Sequence, residues 1–503
     1  MKSNKRRPIL LVIALFLLVL IVVGQYFKVF GIMRVDGQTR FFLGKDDYYQ
    51  TRIDILKEGI FEKYQGGDTP KGKRKSYFNF LADSIENAYA GLDYAERTFG
   101  FSWEEVVDYY RPLVNQVEND DGFNFLCEEM ISLLDNNGHT NIISRENSDY
   151  NKVLPLGIKK SGDKFLLTGY NRGLRDEKEY TDLMDLGDQV VSIDGVKMSE
   201  IYNELAARTI YGKIDKTEYL LMKRFFQSYY YYFKRLDKDN SYLSRVVFKK
   251  ADGSRYNLLF KWGTGYYGIK GVKMFVTRKP IVLSRIYEEG NIGYIKVNSF
   301  DPDFIDDFNK AYQKVKDTNG LIIDLRNNYG GDYTNYGQEI LSKFISKKEV
   351  TAYKKFKNSR LLHIYGYGAL AYPGNSHFQG EYYAPIPIEC EPDDELYQKP
   401  VVLLTNRYHY SSADMFITAF HDLEIGKIVG RLGQVGSFGQ PIRFNNPWND
   451  WRTTISVVEK LSSKKKLARE MNIKPDIYVP LIEAEILRKE DPILEAGLKE
   501  LRE

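Results

Sequence analysis

Three short stretches of this 503-residue chain hold residue types whose spacing suits attack on a carbonyl. The first, Asn406-Arg407-Tyr408-His409-Tyr410-Ser411-Ser412-Ala413-Asp414, joins the apolar run Val401–Leu404 to a helical stretch, Ala413–Leu423. A serine at such a junction projects its hydroxyl from the N-terminal end of a helix, where the dipole and unpaired N–H groups favour developing negative charge. The same position also suits a plain helix cap, and Ser411 and Ser412 are both available for it. The second stretch is Asp324-Leu325-Arg326-Asn327-Asn328-Tyr329-Gly330-Gly331. A glycine pair after a strand lets backbone N–H groups approach a ligand closely, as an oxyanion site requires, though a tight turn needs the same residues. The third is Gly138-His139-Thr140. His139 is one of five histidines, and histidine is the usual base for a serine nucleophile; a histidine just after a helix is also commonly structural.

These stretches need a scaffold that brings them together. From Asn291 the pattern alternates strand and helix: Ile292–Val297, a stripe of Phe304, Ile305, Phe308, Tyr312 and Val315, then Leu321–Leu325 and Pro400–Thr405. Such alternation predicts parallel strands covered by helices, with sites at the carboxyl ends of the strands. Residues 77–150 read as a helical unit carrying the histidine loop. It has a capping-box start at Ser102-Trp103-Glu104-Glu105, a run from Phe123 to Leu134, and a stop at Asn136-Asn137-Gly138. Residues 154–263 read as β-rich, with a tight turn at Asp194-Gly195 and a helical insertion rich in tyrosine and phenylalanine from Tyr202 to Asp237. Residues 280–503 form the α/β core, and residues 31–76, with Gly66, Gly67, Pro70 and Gly72 among lysines, read as a linker.

In combination these pieces resemble a known family. The order is a helical segment with Asn-Gly-His-Thr, then Leu-Gly-Asp-x-Val-x-x-Ile-Asp-Gly, then Asp-Leu-Arg-Asn-Asn-x-Gly-Gly. Ser-Ser-Ala-Asp before a helix and Ile473-Lys474-Pro475-Asp476-Ile477 follow. This is similar to the C-terminal-processing (tail-specific, tricorn-core) serine peptidases, over about Tyr77 to Pro480. The resemblance implies an α/β fold with three parts: a helical N-terminal unit, a PDZ-like β-rich unit, and a βα-layered, crotonase- or ClpP-like catalytic core. It implies Ser411 as nucleophile, with the backbone of Gly330, Gly331 and Ser412 as oxyanion hole. One branch of the family pairs the serine with a lysine about 25 residues downstream, but Gly436 stands there, and Lys427 and Lys460 match no family spacing. The other branch uses a histidine, which implies His139 as general base. Its second serine has no counterpart, since Gly138 precedes His139. Its glutamate corresponds to Glu470, with Glu459 as the alternative. The resemblance implies a protein or peptide substrate and no cofactor or metal. Its rival is a catalytically inactive relative that binds peptides or lipophiles.

Composition narrows the setting. A net charge of +4 from 72 basic and 68 acidic residues gives no argument for nucleic acid. Cys127 and Cys390 are too few for a disulfide framework, and Cys127 lies in an apolar helical stretch that predicts a buried thiol. Lys2, Lys5, Arg6 and Arg7 precede an uncharged apolar run from Ile9 to Gly24. That pattern predicts an N-terminal membrane anchor over residues 1–30, single-pass in the inner (cytoplasmic) membrane, with the bulk of the chain periplasmic or extracellular.

Overall fold

The computed structural model describes residues 30–35, 38–43 and most of 69–503. The exceptions in the last span are 118, 135–138, 145–151, 172–182, 208–224, 227–228, 235–242, 265–268, 271–280, 358–377, 380–381, 407–408, 433–434, 436–438, 446–450, 483–484 and 486–489. The expected single-pass membrane placement does not stand. Among the described residues no helix is long and apolar enough to cross a membrane, and the run Ile9–Gly24 on which the expectation rested lies outside them.

Four helices open the ordered architecture: α1 Pro70–Ala88, α2 Leu92–Phe99, α3 Trp103–Val114 and α4 Asp120–Ser132. Helix α1 starts inside the segment expected to be linker. Thr69 Oγ1 accepts the Gly72 N–H at 3.1 Å, and Pro70 stands in the first turn, where a missing N–H costs nothing. Lys71 to Lys75 are therefore helical, and Arg74 is buried and donates to Asp120 at 2.9 Å. The capping box at α3 forms as read, with Glu105 N donating to Ser102 Oγ at 3.2 Å and Ser102 N to Glu105 Oε2 at 3.0 Å. Cys127 and Cys390 are free and buried.

The helices do not close a core of their own. Tyr77, Phe80, Phe123 and Met130 pack with Phe356, Ile442, Ile455 and Val458 from the far end of the chain. Strand β1, Asn141–Ser144, pairs antiparallel with Trp451–Ser456, placing Asn141 opposite Thr454. The segment after His139 is thus fastened to the C-terminal half of the molecule.

The β-rich unit is one sheet built mainly from β2 Leu156–Ser161, β3 Lys164–Asn171, β4 Gln189–Ile193, β5 Leu243–Lys249 and β6 Arg255–Lys261, around a core of its own. Asp194 and Gly195 both have positive φ, 50° and 85°, as a two-residue hairpin turn requires. Helix α5 is Met198–Ala207. The described aromatics of the expected insertion serve as core: Tyr229 stacks on Trp262 at 6.0 Å between ring centroids, and Phe225 and Tyr230 are buried with it.

The strands of the C-terminal α/β part are β7 Val282–Tyr287, β8 Ile292–Val297, β9 Gly320–Asp324, β10 Glu349–Phe356, β11 Ile386–Cys390, β12 Val401–Thr405, β13 Lys427–Gly430, β14 Pro441–Asn445, β15 Trp451–Ser456, β16 Val458–Ser462 and β17 Ile477–Tyr478. The central sheet runs in the order β7-β8-β9-β12-β13-β17. All its pairs are parallel except the antiparallel edge β7. Strands β9 and β12 are buried at every residue because helices cover both faces. Helices α6 Phe304–Val315 and α7 Ser412–Asp422 cover one face, and α8 Pro492–Arg502 covers the other. A second, antiparallel layer, β11-β10-β16, packs against α7 from outside.

The Asp-Leu-Arg of the glycine loop is the anchor of this sheet. Asp324 is fully buried at the end of β9. It accepts from Arg326 Nε at 3.0 Å and Arg326 Nη2 at 2.8 Å, from Lys296 Nζ at 3.2 Å and from the Tyr294 hydroxyl at 2.6 Å. Arg326 also grips Asp491, the N-cap of α8, at 2.9 Å. Burial alone pushes the Asp324 carboxyl up. Lys296, Arg326 and the Tyr294 hydroxyl overcome that and hold it down, to about 2 from an ordinary 3.8.

Removing the carboxylate leaves two cations in a buried site, so Asp324→Asn is expected to cost about 3–5 kcal/mol at neutral pH. Because the folded pKa is depressed, the contribution is whole above the ordinary value of 3.8 and fades as pH falls through about 2. Denaturant melts of the two proteins should converge across that window. A gap that stayed constant down to the lower limit would assign the loss to packing rather than charge.

Candidate active site

The loop that carries Ser411 is a strained turn between β12 and α7. Ser411 has φ 58° and ψ −119°, a conformation that non-glycine residues adopt only where the surroundings enforce it. Here the enforcement is visible on both sides. Asn406 and Asn327 exchange hydrogen bonds at 3.2 Å, and Tyr410 N donates to Asn328 O at 2.9 Å. Asp414 N donates to Ser411 O at 3.0 Å, and the Asp414 carboxylate holds His409 Nδ1 inside the loop with both side chains fully buried. Such a turn lifts a serine hydroxyl clear of the helix that follows it. Ser411 makes no side-chain cap to α7, so the capping role open to it from sequence is not the one it takes.

Its hydroxyl instead meets His139. The Nε2 of His139 lies 3.1 Å from Ser411 Oγ, across 272 residues of sequence. The other ring nitrogen, Nδ1, lies 2.7 Å from the Tyr410 hydroxyl, and the Tyr410 ring stacks on the imidazole at 4.4 Å with 9° between planes. His139 is brought here by its neighbours: Thr140 Oγ1 accepts the Ser456 N–H at 3.1 Å, and β1 continues on β15. Both ring nitrogens therefore face hydroxyls of consecutive residues, and the tautomer follows from which hydroxyl donates.

The glycine loop lies directly beneath the serine. A Cβ on Gly330 would sit 2.6 Å from Ser411 Cβ and 2.8 Å from Ser412 N, and one on Gly331 would sit 2.1 Å from Phe300 O. Only glycine fits at either place, and both have positive φ, 99° and 129°. One of the expected oxyanion donors is already committed: Gly330 N donates to Asn328 Oδ1 at 2.7 Å. Asn328 is itself buried and anchored to Val297 O at 3.1 Å. The N–H groups of Gly331 and Ser412 carry no such bond among the described residues. Ser412 Oγ donates to Gly331 O at 2.6 Å and ties the two loops together.

Glu470 is not brought to His139. It ends the short turn Ala468–Glu470, in which Ala468 and Arg469 turn inward, so its own side chain is exposed and pairs at 3.3 Å with Arg97. The alternative, Glu459, is buried on β16. Burial raises its pKa, but Arg469, at 2.9 Å, opposes that, and the Arg469 guanidinium stands over Tyr94. Lys427 is at the surface on Glu500, and Lys460 lies on β16 under α7. Two site residues escaped the sequence reading, Tyr410 and Asn328. Tyr410 had a local signal, an aromatic hydroxyl immediately before the serine, but its partner is 271 residues away. Among the described residues no group of three or more His, Cys, Asp or Glu could hold a metal ion.

Residues 291–479, which hold the glycine loop and the loop that carries Ser411, match the model for peptidase family S41. A stretch of 250 residues, 49% of this chain, is 26% identical to the Tricorn protease of Thermoplasma volcanium, of which the chain spans only 18%. Among solved structures, mature CPAF superposes with a TM-score of 0.66 over 86% of this chain and 97% of its own, at 16% identity. The complex of mature CPAF with lactacystin gives a TM-score of 0.65 over 86% and 98%, at 17% identity. At such identities these structures establish the fold, a layered α/β core with N-terminal helices and β-rich regions. The strained serine and the paired glycine loop both lie within the stretch that matches the family model, so residues 291–479 are a domain of the peptidase family S41 type, a serine-type peptidase.

Proposed function

We propose that this chain hydrolyses peptide bonds through an acyl-enzyme on Ser411, with His139 as general base. The observation that carries the reading is the 3.1 Å approach of His139 Nε2 to Ser411 Oγ at a backbone held in a conformation that serine rarely adopts. With Nδ1–H donating to the Tyr410 hydroxyl, Nε2 faces Ser411 as an acceptor for the serine proton. Ser411 Oγ then bonds to the scissile carbonyl carbon, and the carbonyl oxygen becomes an oxyanion facing the N–H groups of Gly331 and Ser412. His139 returns the proton to the leaving amine. Water repeats the sequence against the acyl-enzyme, with His139 again as base. Each backbone donor in such a hole contributes on the order of 2.7–4 kcal/mol to lowering the barrier. Tyr410 stands where many such sites place a carboxylate. It fixes the imidazole by stacking and by one hydroxyl, without adding a negative charge.

Ser411→Ala is expected to abolish hydrolysis of an unfolded protein substrate and labelling by a fluorophosphonate probe, with the fold retained. His139→Ala should lower both by several orders of magnitude. A wild-type protein that folds but neither cleaves nor labels would favour the inactive, binding-only alternative. Ser412→Ala should keep most of the activity, since its part in the hole is a backbone N–H and the hydroxyl bond to Gly331 O that it loses contributes only about 1 kcal/mol; the opposite ranking of the two serines would shift the nucleophile by one residue.

Tyr410→Phe keeps the stacked ring and removes the hydroxyl. We expect kcat to fall about 10–100-fold with KM nearly unchanged, as for a lost general-base alignment. Equal activity would take the Tyr410 hydroxyl out of the mechanism. Gly330→Ala should leave a folded protein that no longer labels, because the new methyl occupies the space of Ser411 Cβ; retained labelling would mean that the two loops can separate without loss of function.

A further inference from the structure

Both ends of the segment that carries His139 are tied to one point, the C-terminal end of α1. Tyr89 caps that helix and is buried. Its hydroxyl donates to Leu134 O at 2.9 Å, away from solvent. Leu134 lies just past the end of α4, where the last carbonyls of a helix have no partner within the helix. A buried carbonyl left bare is unfavourable, and the tyrosine, 45 residues away in sequence, supplies the donor. His139 follows Leu134 by five residues. The residue after Tyr89, Ala90, donates its N–H to Ser456 O at 3.3 Å. Ser456 N in turn donates to Thr140 Oγ1 at 3.1 Å, on the far side of His139.

The register of the sheet shows why a side chain takes that last bond. In the β1–β15 pair Ile142 faces Thr453 and Asn141 faces Thr454, so two further residues of ladder would set His139 opposite Ser456. The ladder stops at Asn141 instead. Ser456 is tied to the Thr140 hydroxyl by its N–H and to Ala90 by its carbonyl, and the imidazole of His139 turns to Ser411. The Tyr89 hydroxyl is backed in its turn. A Cβ on Gly91 would stand 3.0 Å from it and 2.9 Å from Arg469 Nη2, so both groups crowd the same glycine. Arg469 is held there by Glu459 at 2.9 Å and lies over Tyr94.

We propose that Tyr89 is a positioning residue for His139, fixing the entry to its segment at Leu134 while Thr140 fixes the exit. A general base must meet the serine hydroxyl at hydrogen-bond distance, and a displacement of about 1 Å can lower the rate on the order of 100-fold. Tyr89 and Thr140 act through the imidazole, not on the substrate. The inference rests on the peptidase reading of Ser411 and His139, and its test separates the two.

The experiment compares two buried hydroxyls of one helix in the full chain. Tyr77, also on α1, shares a hydrogen bond with Thr453 Oγ1 at 2.6 Å, and that partner lies on β15 opposite Ile142, outside the histidine segment. Each variant is assayed well below its melting temperature. Tyr89→Phe should lower kcat on an unfolded protein substrate and the rate of fluorophosphonate labelling together, by about 10–100-fold, with KM nearly unchanged. Tyr77→Phe should lower the melting temperature by a similar amount and keep kcat within about twofold of wild type. Thr140→Val should reproduce the loss seen in Tyr89→Phe, and Thr140→Ser, which keeps the hydroxyl, should stay close to wild type. The Thr140 pair carries the test even where Tyr89→Phe does not fold. A folded Tyr89→Phe that loses no more kcat than Tyr77→Phe, or that raises KM alone, would overturn the positioning role and leave the peptidase reading intact. So would equal activity of Thr140→Val and Thr140→Ser. A wild-type protein that neither cleaves nor labels would bring down the peptidase reading and the positioning role with it.

Discussion

The active site depends on one close approach. The backbone of Gly330 lies against Ser411 with no room for a methyl group, and this contact fixes the serine in its strained turn. Two parallel strands set side by side, β9 and β12, make it possible, since their following loops emerge at the same edge of the sheet. The Asn327–Asn406 exchange, the Tyr410 N–H on Asn328 O and the Ser412 hydroxyl on Gly331 O then hold the loops together. Each bond alone is modest, on the order of 1 kcal/mol. Collectively they oppose a backbone strain of roughly 1–3 kcal/mol. The cluster of Asp324, Arg326, Lys296, Tyr294 and Asp491 lies just behind, and keeps β9 and α8 from shifting under that load.

What was legible in the sequence was what local pattern encodes. The mostly apolar runs at β8, β9 and β12 marked buried parallel strands, and the junction before Ala413 marked a helix start with a serine at its tip. The paired glycines marked a backbone that something must approach. The histidine became identifiable only through the order of motifs, because nothing within ten residues of His139 announces a partner 272 residues away.

What was not legible depended on tertiary contacts. Glu470 has the right type and nearly the right spacing, yet a short turn that buries Ala468 and Arg469 sends it outward. Gly330 looked equivalent to Gly331 as a donor, and only the fold shows that Asn328 has taken its N–H. Strand β10 was not read, because Glu349–Phe356 carries a glutamate and two lysines at positions that turn out to be half-buried, and the burial of Glu459 and Lys460 on β16 was not foreseen. The helical unit was read from its own periodicity, and nothing in that periodicity says that its apolar faces are completed by Phe356, Ile442, Ile455 and Val458.

That shared core has a consequence for how the chain is made. The proposed base is residue 139 and the proposed nucleophile residue 411, and the layer that joins them is finished only by Val458 and its neighbours. During synthesis from the N-terminus, the histidine is present for hundreds of residues before there is a serine for it to activate. Even a chain extended past Ser411 lacks the strands that dock β1. With Ser411 and His139 acting as proposed, a growing polypeptide of this design has no reactive centre while its own unfolded segments are exposed, and it would become able to cut peptides only when little of itself remains to be cut.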